Sequence, residues 1–337
     1  ADRMQYCLFE PEEIEAERQV VLEELAQTED SPWGPLGIQV ETTMFGGHPY
    51  AHTPIGTEAD LERMSRDDLL SYYRTYYVPN NATLVVIGDV YAADVLNKVE
   101  EVFAPIPRDN PVHSPPFFTI QQQGEQRFEI VQDVNLKRLH IGYHVPGMHH
   151  PDRYALDVIE HVLSHGKTSR LYQRLVDQEQ VVTFADAYYH SRKAAGVFHL
   201  FAELRPGCSL KQVEMILDEE IARLHTTPVS EDELTKVKQV IAADTVFERE
   251  TTVGLAHVVG EYAVSHTAVS HTCEEVNRYA SRIDAVTPDE IVRVAHKYLL
   301  PEHRTVGWAF PEHPEKERQA LIVPDEPVSP VPAEMVF

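Results

Sequence analysis

Two stretches of this sequence, SRDDLLSYYRTYYVPNNATLVV from Ser65 and TPDEIVRVAHKYLLPEHRTVGW from Thr287, align without a gap over 22 positions. A single offset of 222 residues relates them and places Pro79 opposite Pro301. Each stretch combines a capped amphipathic helix, a proline that stops it and an apolar run typical of a buried strand. One such unit is common, but two in the same register indicate duplicated halves of one fold.

The repeat also predicts how the chain is organised. A passage with five prolines, PIPRDNPVHSPPFFTIQQQGEQ over 105–126, is typical of an interdomain linker. We expect the C-terminal part of a first domain over 1–110, a linker over 111–126, a homologous second domain over 127–315 and a tail over 316–337. The same offset places the start of the first half before residue 1, so we expect roughly a hundred further residues of that half upstream.

Hydrophobic periodicity predicts a mixed structure. Before the linker we expect helix, loop, helix, strand and helix. After it, the strand-like runs are RFEIVQD, RLHIGYHV, VVTFADAYY and GVFHLFAEL, and helices are expected over 151–165, 168–179, 209–225, 231–249 and 288–300. Capping boxes are expected at Ser230 with Glu233 and at Thr287 with Glu290. The fold class is therefore α+β, with two related halves that each have a mostly antiparallel sheet and helices on one face.

Composition excludes several classes of partner. The formal net charge of −25 disfavours nucleic acid and anionic membranes. No apolar run is long enough to cross a bilayer, and the composition is typical of a soluble globular protein. We expect a soluble protein, cytoplasmic or of the bacterial periplasm, and no sequence signal decides the compartment. Cys7, Cys208 and Cys273 are far apart, which argues against disulfides and against a thiolate zinc site.

Three segments carry a resemblance to a known family: ERQVVLEEL over 17–25, the run from GGHPYAHTPIG to NNATLVVIGD over 46–89, and HVLSHGKTSRLYQRLVDQEQ over 161–180. In order and spacing they resemble the pitrilysin/insulinase family of zinc metallopeptidases, particularly its bacterial and mitochondrial-processing branch. The resemblance implies two homologous halves, or two subunits, that close like a clamshell over an unfolded peptide. It also implies zinc-dependent endopeptidase activity.

Two glutamates correspond to family site residues. The family binds zinc through H-x-x-E-H and through the last glutamate of E-R-x-x-V-x-x-E, which is Glu24 here. The first glutamate of that pattern, Glu17, is implied to be a catalytic-site group that orients a ligand or positions substrate. Their spacing of seven residues places both on one helix face. The repeat sets Gln239 and Val246 opposite them, so the second half is not expected to bind zinc.

H-x-x-E-H itself does not occur in this sequence, so zinc would need histidine ligands from upstream of it, and the chain alone is expected to be inactive. Other histidines do not replace the motif. Most are expected in loops, at element ends or with the wrong spacing: His48 and His52, His144, His149 and His150, His161 and His165, and His266 and His271.

An alternative is a non-catalytic partner or structural subunit of the same family that binds peptide without cleaving it. Many members have an L-R-x(6)-Y pattern whose arginine and tyrosine hold substrate, and here Val176 and Thr183 stand at those places. This resembles the zinc-bearing chain of a two-subunit enzyme, so we expect a second family subunit or a homodimer as partner. A peptide-binding module without zinc is a third class.

Overall fold

The computed structural model describes residues 1–108, 122–265 and 272–313. These residues form two compact units. The first takes its described residues from Ala1–Gln27, Ile55–Phe117 and Ala242–Ala280, and the second from Thr28–Pro54, Phe118–Ile241 and Ser281–Phe337. In the described part of the chain, no helix is long and apolar enough to cross a membrane.

The second unit is built on a five-stranded sheet. Its strands are β1 (Gln126–Gln132), β2 (Arg138–Pro146), β3 (Val182–Ser191), β4 (Ala195–Leu204) and β5 (Arg304–Pro311). Their order is β1-β5-β2-β4-β3, and only β1 and β5 pair in parallel. The four strand-like runs after the linker are therefore strands β1 to β4, and the α+β prediction with a mostly antiparallel sheet is confirmed.

Helices α6 (Arg153–Ser164), α7 (Leu210–Thr226) and α11 (Pro288–Tyr298) pack together and against this sheet. Leu156, Ile159 and Leu163 of α6 recur every three or four residues and are fully buried, as an amphipathic helix on a sheet requires. The predicted helix over 168–179 is instead a π-helical turn at Tyr172–Gln178, which buries Leu175.

Helix α2 (Gly34–Phe45) packs on β2 and β5 as well. Alternate strand residues face opposite sides of a sheet. On β2, Gly142 lies against Met44 of α2, whereas Tyr143 points the other way, toward Asp218 of α7. Both faces of the sheet are therefore covered in part, an addition to the one-sided layer expected from the sequence.

The first unit is helical among its described residues. It contains α3 (Glu58–Arg63), α4 (Arg66–Tyr76), α5 (Ala92–Phe103) and α9 (Thr252–Ser265), together with most of α1 (Pro11–Asp30) and α10 (Thr272–Asp284) and the end of α8 (Glu231–Glu248). Val258, Tyr262 and Val276 form a small core there.

The repeat is visible in the local structure. Helices α4 and α11 both span 11 residues at the 222-residue offset, and each begins with a complete capping box, Ser65 with Asp68 and Thr287 with Glu290. A 3-10 turn follows each helix, at Pro79–Asn81 and at Pro301–His303.

The copies diverge after these turns. The second continues into β5, but residues 82–87 of the first form no strand, and Leu84 and Val86 are exposed. The strand predicted there is wrong for this structure, because a strand needs a neighbour and no described residue pairs with this segment. The Ser230 box is half formed: Glu233 N–H donates to Ser230 Oγ, while the Glu233 carboxylate binds Arg170.

The compact units do not follow the order of the chain. Residues 28–54 belong with the sheet, because the apolar face of α2 is buried on it, and residues 242–280 belong with the first unit. The division into homologous domains over 1–110 and 127–315 stays a prediction. Most of the 111–126 linker, the 316–337 tail, His266 and His271 lie outside the described residues.

Candidate functional site

Glu17 and Glu24 lie on α1, and both side chains are exposed. The helix is seated by the face next to them: Leu25 is buried, and Ile14 and Val21 are half-buried. Two turns of helix separate the acids, so they share one side of it. The helix that the two acids were expected to share is present, and the role of the two acids remains a prediction.

An apolar cavity of about 390 Å³ lies beside Glu17 within the first unit. Leu8, Ile14, Val21 and Leu61 are among its walls, and the Glu17 side chain lines it too. A hollow of this size with one carboxylate at its wall can take an apolar group and contact a polar atom next to it.

Arginines fix the walls of this cavity. Arg18 of α1 donates hydrogen bonds to the carbonyl oxygens of Leu61 and Met64, the latter at 3.0 Å. Arg66 donates to the carbonyls of Leu8 and Phe9, at 2.8 and 2.7 Å. These bonds hold the residues before α1 against α4 and place Glu17 on a supported helix rather than on a free end.

The residues near Glu24 do not by themselves make a zinc site. Structural and catalytic zinc ions need three or four protein ligands. Within the ranges that the structure describes, neither Glu17 nor Glu24 belongs to a group of three His, Cys, Asp or Glu side chains close enough to share an ion. The described residues around Glu24 thus supply fewer ligands than a zinc ion needs, and the role of Glu24 as a zinc ligand stays a prediction.

Several of the remaining histidine candidates have a local partner for one ring nitrogen. His48 is buried, and its Nδ1 accepts a hydrogen bond from the Tyr50 N–H at 3.1 Å. His150 Nδ1 accepts from the Asp152 N–H at 3.0 Å. His161 bonds the Asp157 carbonyl through Nδ1 at 2.8 Å, and its ring stacks on His165 at 5.0 Å between centroids. His48 and His150 thus stabilise local turns, whereas His161 bonds the backbone of its own helix.

The assignment of Val176 and Thr183 to the arginine and tyrosine positions of the family pattern stays a prediction. Val176 lies in the π-helical turn, and the Thr183 hydroxyl donates to Glu203 Oε1 at 2.8 Å. A valine and a hydrogen-bonded threonine offer neither a cation nor a phenol to a peptide.

The second unit contains a buried polar cluster that the sequence analysis did not predict. Glu41 of α2 accepts two hydrogen bonds from Arg192, and its Oε1 lies 3.8 Å from His199 Nε2. His199 Nδ1 is 2.8 Å from His140 Nε2 on the adjacent strand. The one available signal is that Glu41 is the only charged residue of the apolar helix α2.

Burial governs the protonation of this cluster. It lowers the pKa of His140 and of His190 to about 3, and it lowers the pKa of His199 well below its usual value, with His140 adding to the effect. The imidazoles are therefore neutral at pH 7. Burial raises the pKa of Glu41, and the Arg192 charge and hydrogen bonds oppose that rise.

The family follows from comparison with known proteins. Residues 63–241, more than half of the chain, match the family model described as Peptidase M16 inactive domain. This chain belongs to the M16 peptidase family. It is the pitrilysin family that the sequence motifs resemble, and that prediction is confirmed.

Individual relatives align with most of this chain. The Helicobacter pylori zinc protease PqqE is 27% identical over 315 residues, which is 92% of this chain and 70% of that protein. The crystal structure of a protease from Helicobacter pylori superposes with a TM-score of 0.82 at 26% identity, over 90% of this chain and 72% of the other. A peptidase M16 inactive domain from Pseudomonas fluorescens has a TM-score of 0.78 at 16% identity, over 92% and 73%, and shows the fold alone.

Proposed function

We propose that this chain is part of a zinc-dependent endopeptidase that cleaves peptides or unfolded protein segments. M16 membership and the similarity to a relative named a zinc protease support this proposal. The observation that carries it is the E-R-x-x-V-x-x-E pattern on one supported helix, with both acids exposed on α1.

In this proposal Glu24 is the carboxylate ligand of zinc and Glu17 is a positioning residue. Bound zinc supplies a Lewis acid and a water molecule made acidic enough to attack a peptide carbonyl. The part played by this chain is to present the Glu24 carboxylate on a fixed helix and to hold Glu17 next to the apolar cavity. Both imidazole ligands and the general base belong to H-x-x-E-H, so the chain alone is inactive in peptide hydrolysis.

The test uses the protein encoded by the complete natural gene. We expect Glu24→Gln to lose one equivalent of zinc and to reduce cleavage of an unfolded protein at least a hundredfold. Glu23→Gln is the matched control, because Glu23 is the exposed neighbour on the same helix. Glu17→Gln should retain zinc and lower kcat/KM. A gene product without H-x-x-E-H, or zinc and cleavage unaffected by Glu24→Gln, would reject the proposal.

The second candidate is a non-catalytic partner or structural subunit that binds peptide. The description of the matched family model as an inactive domain favours it. It predicts that the natural gene product binds unfolded peptide without cleaving it. Cleavage that appears only after addition of a second family subunit would instead support the two-subunit form of the peptidase.

A further inference from the structure

Three potential metal ligands converge in the second unit from three separate segments of the chain. Glu41 comes from α2, His190 from β3 and His199 from β4, and one ligand atom from each lies within 4.8 Å of the other two. We propose that these three side chains form a binding site for a divalent transition-metal ion such as Zn²⁺. The site is distinct from the one proposed at Glu24 and contains none of its residues.

The donor set fits such an ion. Two imidazoles and one carboxylate are a common set for zinc and for other first-row metals, with remaining positions open to water. Bonds of about 2.0–2.1 Å in a tetrahedron place ligand atoms about 3.3 Å apart. Glu41 Oε1 and His199 Nε2 are already 3.8 Å apart, so ligation requires only a small contraction at this edge of the site.

Unused ring nitrogens point to a ligand. His199 is 3% exposed, and its Nε2 has no hydrogen-bond partner among the described residues although it is buried. In the same part of the structure, His190 Nδ1 is also buried without a partner. A buried nitrogen that bonds neither protein nor solvent is unfavourable, and a cation would provide the missing interaction for His199 Nε2.

His199 is oriented as a metal ligand is. A ligating histidine usually uses its second ring nitrogen to bond a neighbouring group, which fixes the tautomer. Here His199 Nδ1 and His140 Nε2 are 2.8 Å apart. Ligation through Nε2 leaves the His199 proton on Nδ1, from where it is donated to His140 Nε2.

Arg192 affects the metal affinity of the site but leaves lone pairs of Glu41 available to a metal ion. Its guanidinium donates to both oxygens of Glu41, at 2.8 and 3.1 Å. A carboxylate has about four lone-pair positions, so two remain for other partners. The arginine charge lowers the affinity for a cation, and its removal should raise that affinity. A purely structural role for Glu41 and the histidines does not predict such a gain.

The test is titration of the metal-free 337-residue chain with Zn²⁺ by calorimetry and with Co²⁺ by visible absorption. We expect one equivalent to bind. Glu41→Gln, His190→Gln and His199→Gln should each raise Kd at least tenfold, and Arg192→Met should lower it severalfold. Two other histidine variants, His144→Gln and His161→Gln, are controls. Glu24→Gln should not change Kd either, which separates this site from the peptidase proposal.

X-ray absorption of the zinc-loaded wild-type chain should show two imidazoles and oxygen ligands, a result that does not depend on whether a variant folds. His190 is only half-buried, so its glutamine variant is the one best suited to keep the fold. The proposal is overturned if the chain binds no stoichiometric metal, if absorption shows fewer than two imidazoles, or if a control histidine variant abolishes binding while the folded His190→Gln variant retains it.

Discussion

Arg192 donates to both carboxylate oxygens of Glu41 across 151 residues of sequence, with Nη1–Oε2 and Nη2–Oε1 distances of 2.8 and 3.1 Å. The guanidinium also lies over the rings of Phe45 and Tyr50, 4.8 and 4.6 Å from their centroids. The pair therefore joins the end of α2 to the turn between β3 and β4. It combines a bidentate ion pair with two cation–π contacts in a nearly buried setting.

Removal of this cation should destabilise the second unit. Arg192→Met retains much of the side-chain volume but leaves the Glu41 carboxylate buried without its partner, and we expect a loss of about 3 kcal/mol. Urea unfolding followed by circular dichroism measures it. Arg63→Met is the control, because the Arg63–Asp60 pair is exposed and should contribute within about 0.5 kcal/mol. A loss at Arg192 no larger than at Arg63 would contradict the assignment.

Close approach of α2 to the sheet depends on Gly142. A Cβ there would overlap the Met44 sulfur and lie 3.2 Å from Val40 Cγ1. Gly142→Ala should therefore cost about 2 kcal/mol through overpacking. Gly47→Ala is the matched control, since a Cβ at Gly47 meets nothing within 4 Å. Thermal melts of both variants provide the comparison, and equal melting temperatures would show that the Met44 side chain moves aside without cost.

Asp152 should make the free energy of unfolding depend on pH in the acidic range. Burial alone would raise its pKa, but hydrogen bonds from Arg293, Tyr298 and Lys297 outweigh burial and hold the pKa well below its usual value. Since the folded pKa is depressed, this stabilisation is present above the unfolded pKa of about 4 and is lost as pH falls through the folded pKa.

Asp152→Asn should accordingly destabilise the protein by about 2 kcal/mol at pH 7, because charge-assisted hydrogen bonds are lost. The difference between wild type and variant should shrink steadily below pH 4. Urea unfolding at pH 7, 5 and 3 tests this. A difference that stays constant over that range would mean that the carboxylate charge is not the stabilising element.

The two copies of the capping box allow a matched experiment. In each, a hydroxyl accepts from the third helical N–H at 3.2 Å: Ser65 from Asp68, and Thr287 from Glu290. Replacement by alanine should cost about 1 kcal/mol at Thr287, and Ser65→Ala should have an effect of the same size. Thr227→Ala, beyond the end of α7, is the control. Hydrogen exchange of the first-turn amides should increase in each cap variant.

Local signals in the sequence predicted local structure well. The helices at Ser65 and Thr287 could be located because caps, amphipathic spacing and a stopping proline are all encoded within 15 residues. The strand predicted after Pro79 was wrong, because a strand forms only beside a neighbouring strand, and the periodicity of one segment does not show whether that neighbour is present. The π-helical turn at Tyr172–Gln178 has the periodicity of an ordinary helix and was likewise indistinguishable from one.

The buried cluster shows a second limit of prediction from the sequence. Glu41, His190 and His199 are separated by long stretches of chain, and only packing of α2 on the sheet brings them together. By contrast, Glu17 and Glu24 are seven residues apart on one helix, so their shared side follows from helix geometry alone. The family resemblance therefore singled out Glu17 and Glu24, whose roles stay a prediction, whereas no sequence signal brought together the cluster that is built from tertiary contacts.

The segment over residues 82–87 affects how this chain behaves in solution. Leu84 is 58% exposed and Val86 is 46% exposed, and no strand among the described residues pairs with this segment, whose sequence has strand propensity. Such a segment can add itself to the edge of a sheet in another molecule. The net charge of −25 keeps molecules apart at low ionic strength, but at 1 M salt charges are screened beyond about 3 Å. Concentrated samples should therefore remain monodisperse in dilute buffer and self-associate as salt is added.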